Sequence, residues 1–272
     1  MINLFDRQIH VNEFKLRLLL TNGCNKKCEF CLNDFQPKPD GNPLYLDTGL
    51  ALLAIASYSL LLETKYPLQV YFSGGEPTLH RDLPVLIKTA RNNSCRVTLN
   101  TNGTFPNFLE QPLAAVNCLH FGVYEKSPAL RERICRLRGS IQCVYSTRDP
   151  YVDFDFVNYY LQYGLPIKIF GDLREDTKPY EEFAMAVAKR FPDAPITFRF
   201  TGTQENRGIG CYNCDRYCVT LKGAWVFPDG GVSHCPQKYK GEVYYPGPHA
   251  TAWVAALDAI QHAHKVGEIH AT

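Results

Sequence analysis

The sequence predicts an α/β chain in which helices cover a parallel sheet. Three observations carry that prediction. Between residues 14 and 190, six short strand-like segments alternate with segments of helical periodicity. Stretches such as LRLLL (16–20), VYF (70–72) and IKIF (167–170) are almost continuously apolar, as in strands covered on both faces. A cysteine loop after the first segment and Gly74-Gly75-Glu76 after the second fall at the carboxyl edge, where parallel sheets collect functional groups.

The elements follow in order. Residues 14–21 (FKLRLLLT) read as the first strand, followed by a loop that carries three cysteines. Residues 34–43 hold three prolines and form an irregular connection. Asp47 or Thr48 caps a helix running to about residue 65. Residues 68–73 form a second strand closed by Gly74-Gly75, 82–93 a helix, and 95–101 a third strand ending in Asn102-Gly103. A helix at 106–116, a strand at 118–124 and a helix at 127–137 come next. A strand at 140–146, a helix at 153–163, a strand at 166–170 and a helix at 177–190 complete the series. After Pro192 the pattern changes. Residues 196–201 suit a further strand, 202–248 are rich in Gly, Cys, Tyr and Pro with little helical pattern, and 251–265 suit a closing helix. A domain boundary near residue 195 follows, giving units 1–195 and 196–272.

With 272 residues, 45% of them hydrophobic, the chain can bury a sizeable core. A net charge of +2, from 29 basic and 27 acidic residues, gives no electrostatic footprint for nucleic acid or an anionic membrane. The longest apolar stretch, 50–62, is too short to cross a bilayer and reads as a buried helix. Eleven cysteines would suit disulfides in a secreted protein, but residues 1–6 lack the basic-then-apolar layout of a signal peptide. Reduced thiols in the cytoplasm, several of them metal ligands, are expected instead.

Cys24, Cys28 and Cys31 stand at CxxxCxxC spacing. Thiolates are soft ligands for zinc or iron–sulfur clusters. A structural zinc needs a fourth thiol or imidazole close by. The nearest histidines are His10 and His80, so three local ligands fit a cluster with one iron left open. A second motif, Ser73-Gly74-Gly75-Glu76-Pro77, follows the second strand. Glycines permit close approach to the main chain, and a carboxylate accepts charge-assisted bonds from an ammonium. Alone, that motif reads equally as a glycine turn.

Together the two motifs resemble the radical S-adenosylmethionine (SAM) enzymes, whose signature is CxxxCxΦC with Φ aromatic; Phe30 fills that place. The resemblance implies a partial (β/α)6 TIM-like barrel. It also implies a [4Fe–4S] cluster on Cys24, Cys28 and Cys31 whose open iron binds SAM, and Gly74, Gly75 and Glu76 around the SAM ammonium. The reduced cluster would pass an electron to SAM. The resulting 5′-deoxyadenosyl radical would take hydrogen from an unactivated C–H bond. An electron donor such as flavodoxin or ferredoxin is implied. Thr101-Asn102-Gly103 resembles the TNG that borders the SAM pocket, although Asn102 also suits a plain turn. Phe121-Gly122-Val123-Tyr124 resembles the fourth-strand element near the SAM ribose, with Tyr124 where many relatives carry serine. Lys168 on the sixth strand either points into the barrel toward a carboxylate or is a solvated strand-end lysine. His80 and His120, with no identified partner, read as structural, and Cys95, Cys118, Cys135 and Cys143 as packing residues by default. Cys118 and Cys143, on barrel strands, are further candidates as hydrogen donors to a substrate radical.

Cys211, Cys214, Cys218 and Cys235 form a second thiol set. A four-thiolate zinc site is one reading. The other rests on Cys218 to Cys235, which fit CX11GX4C, the opening of the SPASM and twitch extensions of radical SAM enzymes. That resemblance implies one auxiliary [4Fe–4S] cluster of twitch type, since four candidate ligands are present rather than seven and none follows Cys235. Twitch and SPASM relatives oxidise small molecules or crosslink and epimerise peptides. With about a dozen residues before the first strand, a separate peptide-recognition domain is not expected, so the expected substrate is a small molecule or short peptide. The alternative from another class is a non-catalytic iron–sulfur electron-transfer or regulatory protein on the same fold.

Overall fold

The computed structural model describes residues 14–31, 41–61, 68–172, 175–199, 223–233 and 243–270. The chain divides into two compact units.

The described part of the first unit comprises residues 28–30 and 119–199. Its strands are β4 (Cys118–Gly122), β5 (Ser140–Tyr145), β6 (Ile167–Gly171) and β7 (Ile196–Arg199), side by side in that order and all parallel. Helices α4 (Pro128–Arg136), α5 (Phe154–Leu161) and α6 (Thr177–Arg190) connect them. Each helix starts on a side-chain cap that shields an otherwise unpaired backbone N–H. Ser127 accepts from Leu130 N–H, Asp153 from Phe156 N–H, and Asp176 from Lys178 N–H. The strands alternate with period two. Leu119, Phe121, Ile141, Cys143, Ile167 and Ile169 are buried, and their neighbours along each strand are half-exposed. The buried set lies on the helix side. The Tyr180 hydroxyl of α6 donates to the Ile169 carbonyl at 2.7 Å, and Gly171 leaves room for the Tyr180 ring.

The described part of the second unit lies within 14–27, 31–118 and 223–270. It holds β1 (Lys15–Leu19), β2 (Gln69–Ser73) and β3 (Arg96–Thr101), with β8 (Gly223–Val226) and β9 (Val232–Ser233). The order is β3-β2-β1-β8-β9, parallel except for the β8–β9 pair. Helices α1 (Thr48–Leu61), α2 (Leu83–Asn92) and α3 (Glu110–Ala114) belong here with α7 (Ala250–His270), which packs on α1. Asp47 caps α1 by accepting from Leu50 N–H at 3.0 Å. Tyr58 of α1, fully buried, donates its hydroxyl to the Phe14 carbonyl and accepts from Gln69 N–H, fixing the starts of β1 and β2. Away from the helices, the Arg17 guanidinium stacks over Tyr71 at 5.3 Å and over Trp225 at 4.9 Å, its register partners on β2 and β8.

The strands and helices expected between 14 and 190 are present within two or three residues at most ends. The helix expected over 106–116 is a 3₁₀ turn (Asn107–Leu109) followed by the short α3. The sequence reading lacked β8 and β9. Each is four residues or fewer, and the first opens on Gly223 with φ +144°, a conformation outside ordinary strand patterning.

Candidate functional site

The stem of the cysteine loop is clamped from two sides. Residues 44–46 pair with 20–22: Asn22 N–H donates to the Leu44 carbonyl at 3.2 Å and Leu46 N–H to the Leu20 carbonyl at 2.9 Å. On the other flank, Gly75 N–H donates to the Thr21 carbonyl at 2.7 Å and Glu76 N–H to the Gly23 carbonyl at 2.8 Å. A β-carbon on Gly75 would lie 1.9 Å from the Gly23 oxygen, and one on Gly74, at φ +127°, 2.4 Å from the Thr21 oxygen. The close main-chain approach that the sequence assigns to a ligand is thus made by the protein's own backbone. The two glycines press the end of β2 against the stem of the loop.

Glu76, 1% exposed, is the hub of this edge. One carboxylate oxygen accepts from Thr78 N–H at 3.1 Å, the Thr78 hydroxyl at 2.7 Å and the Thr101 hydroxyl at 2.8 Å; the other accepts from Asn102 N–H at 2.7 Å. Burial pushes its pKa up, and the four donors oppose that. Every partner is a donor, so the arrangement suits the ionised carboxylate. Asn102 continues the network to the loop, donating to Asn25 Oδ1 at 2.7 Å and to Cys24 Sγ at 3.7 Å. Lys26 N–H also donates to Cys24 Sγ, at 3.4 Å. Bonds of this kind to sulfur orient a ligand and tune a cluster's potential.

Cys24 is exposed and Cys28 and Cys31 are half-exposed, as an external group requires. Among the described residues no three His, Cys, Asp or Glu side chains converge on one point as ligands of a single ion do. A cubane takes one thiolate per iron and has no such requirement. The donor set fits a cluster held by Cys24, Cys28 and Cys31. Phe30 lies against Tyr124 with ring centroids 4.6 Å apart, bringing two of the sequence candidates together. Cys211, Cys214, Cys218 and Cys235 lie outside the described residues.

The remaining candidates separate by face and by strand end. Cys143 is 1% exposed on the helix-covered face, its pKa pushed up by burial, so it stands apart from the half-exposed face that carries Lys168. Cys118 is the first residue of β4, at the opposite strand end from the loops, with Arg96 donating to its sulfur at 3.3 Å. His80 is a packed residue: its Nε2 donates to the Leu46 carbonyl at 2.8 Å and its Nδ1 accepts from Asp82 N–H at 3.3 Å. His120, which reads as structural in the sequence, gains a partner from the neighbouring strand. In the structure its Nδ1 is 2.6 Å from the Ser140 hydroxyl, and burial, with the Lys168 charge, lowers its pKa from 6.5 to about 4.

A parallel sheet whose first strand feeds a CxxxCxxC loop, tied to a GGE turn on the second, defines the class of radical SAM proteins. Residues 18–146 match the model of the Radical SAM superfamily, and that stretch of the chain is a radical SAM domain. The chain is 35% identical over 101 residues to the GTP 3′,8-cyclase of Tolumonas auensis, covering 36% of this chain and 27% of that protein. It is 32% identical over 122 residues to the Fe-coproporphyrin III synthase of Methanosarcina barkeri, covering 44% and 28%. Both matches span less than a third of the relatives' own length. Among solved structures, Streptococcus suis SuiB bound to precursor peptide SuiA superposes with a TM-score of 0.64 at 13% identity, covering 92% of this chain and 66% of that one. The protein anSMEcpe, with bound AdoMet and the Cp18Cys peptide, gives 0.56 at 16% identity, covering 83% and 74%. At these identities the likeness is one of fold, and the fold class is the α/β partial barrel.

Two outcomes follow. Glu76→Gln places an amide N–H₂ where the second oxygen accepts from Asn102 N–H. We expect a loss of about 1–3 kcal/mol in unfolding free energy by denaturant titration, with weakened seating of the Cys24–Cys31 loop in its amide exchange. His120 takes up its proton near pH 6.5 when unfolded but near 4 when folded, so the unfolded chain binds more protons between those values. The His120 contribution is therefore intact above pH 6.5 and falls as pH drops through 4, by up to about 3 kcal/mol. Comparing the pH dependence of stability with that of His120→Gln measures this contribution; identical slopes would assign the acid sensitivity elsewhere.

Proposed function

We propose that this chain is an enzyme that reductively cleaves SAM and abstracts a hydrogen atom from a small-molecule or short-peptide substrate. In this reading Cys24, Cys28 and Cys31 hold a [4Fe–4S] cluster. Phe30, Gly74, Gly75, Glu76, Asn102 and Tyr124 form the surroundings of SAM. The observation that carries the reading is the hydrogen-bonded path from buried Glu76 through Asn102 to Cys24, which ties the second motif to the first. When bound, the cluster supplies the electron that splits SAM into methionine and the hydrogen-abstracting 5′-deoxyadenosyl radical. The chain's own work is positional. Gly74 and Gly75 seat the loop stem, Asn102 orients the Cys24 sulfur, and the Phe30–Tyr124 pair forms an aromatic wall.

Residues 196–272 form, in the same proposal, a twitch-like extension whose Cys211, Cys214, Cys218 and Cys235 hold an auxiliary [4Fe–4S] cluster. Natural-product or peptide modification fits this composition: SuiB and anSMEcpe bind peptides on a similar fold. An external one-electron donor such as flavodoxin or ferredoxin completes the cycle. No helix among the described residues is long and apolar enough to cross a membrane, and we place the chain in the cytoplasm.

Incubating the anaerobically reconstituted, reduced protein with SAM tests the core of this function. We expect 5′-deoxyadenosine and methionine in equal amounts, and neither from the Cys24→Ala/Cys28→Ala/Cys31→Ala variant. Failure of the wild type to bind or cleave SAM would leave the non-catalytic iron–sulfur reading. Iron and sulfide analysis of the same variant tests the extension. Retained iron supports the auxiliary cluster; loss of all iron, or zinc in its place, removes it.

A further inference from the structure

The half-exposed face of β4–β7 carries chemistry that the two motifs leave unused. Register aligns His120 with Ser140, and in the next row Gln142 with Lys168 and Lys168 with Thr197. Parallel partners share a face, so His120, Ser140, Gln142 and Lys168 stand together opposite the helix-covered side. Arg199, aligned with Phe170, adds a second cation to this face.

His120 is fixed on one nitrogen. The Ser140 hydroxyl lies 2.6 Å from Nδ1, the one hydrogen bond that His120 makes among the described residues. When the hydroxyl donates to Nδ1, the ring proton resides on Nε2, which becomes an oriented donor on an accessible face. Lys168, with Nζ 5.9 Å from the Phe170 ring centre, lies on the same face one strand beyond Ser140 and Gln142; burial first, and then the Lys168 charge, lower the basicity of the imidazole. A neutral imidazole donor beside an ammonium matches an anion that takes one hydrogen bond and one charge-assisted contact.

We propose that this face is an anion subsite, in which the His120 Nε2–H and the Lys168 ammonium bind a carboxylate or phosphate group of the substrate. As a substrate site it rests on the radical SAM reading and narrows it to substrates carrying such a group. Ser140 is a positioning residue, holding the His120 tautomer.

Titration of the full-length protein with inorganic phosphate, and separately with acetate, tests the subsite at near-neutral pH. The signal is the His120 ring resonance of histidine-labelled protein, assigned by its absence in His120→Gln. We expect a saturable shift at millimolar anion and a protonation midpoint raised by about one pH unit or more. Lys168→Met should weaken the apparent affinity about ten-fold, while Lys168→Arg should largely preserve it and show that the site remains folded. Saturation by phosphate alone points to a phosphorylated substrate, and saturation by acetate alone to a carboxylate. A shift that never saturates with either anion, or one unchanged in Lys168→Met, overturns the proposal. Saturation in a protein that forms no 5′-deoxyadenosine from SAM would keep the anion subsite and overturn only its assignment to a radical enzyme.

Discussion

The buried carboxylate of Glu76 is the interaction on which the loop edge of the second unit depends. A charge removed from water is tolerated only when hydrogen bonds replace its hydration. Four donors from Thr78, Thr101 and Asn102 do so here. Because those donors come from the turn after β2 and the end of β3, satisfying the charge also fixes the two strand ends against each other. Asn102 then passes the constraint to Asn25 and Cys24. A group that needs rigid ligands is served by a loop whose anchor cannot move without exposing a charge to a low-dielectric surrounding.

The glycines complete that arrangement from the backbone side. Gly74 and Gly75 allow the turn after β2 to lie against Thr21–Gly23 at a distance that no side chain permits. Two main-chain hydrogen bonds then replace contacts that larger residues would have to make through side chains. The motif is therefore a joint between β1 and β2 in its own right. A side chain at either glycine would strike this backbone contact before any ligand arrives.

The helices and central strands were legible because their signals are local. Asp153, Ser127 and Asp176 sit where caps belong, and the apolar runs of β1, β2 and β6 are continuous. The cysteine motif was legible for the same reason, since its information lies in spacing. What escaped depends on partners distant in sequence. β8 and β9 gain strand character by pairing beside β1, and their own residues barely signal it. That Glu76 accepts from Thr101 and Asn102, 25 and 26 residues away, follows only once β2 and β3 are aligned. His120 meets Ser140 through the register of β4 with β5, and spacing cannot show that.

The strands of the first unit divide their labour by face, and that division explains which polar residues are available for chemistry. A buried side chain on the helix side is surrounded by apolar neighbours, as Cys143 is by Ile141, Ile167 and Ile169, so its charged form is suppressed and its reactivity with it. On the opposite face the same period-two alternation displays His120, Gln142, Lys168 and Thr197 along strands held in parallel register. Rigid strands hold such groups more accurately than loops do. Chemistry on this unit is therefore set by which residues occupy the half-exposed face of four parallel strands, while the helix-covered face is committed to the core. A serine–histidine contact on that face leaves the core packing intact, which is why polarity concentrates there.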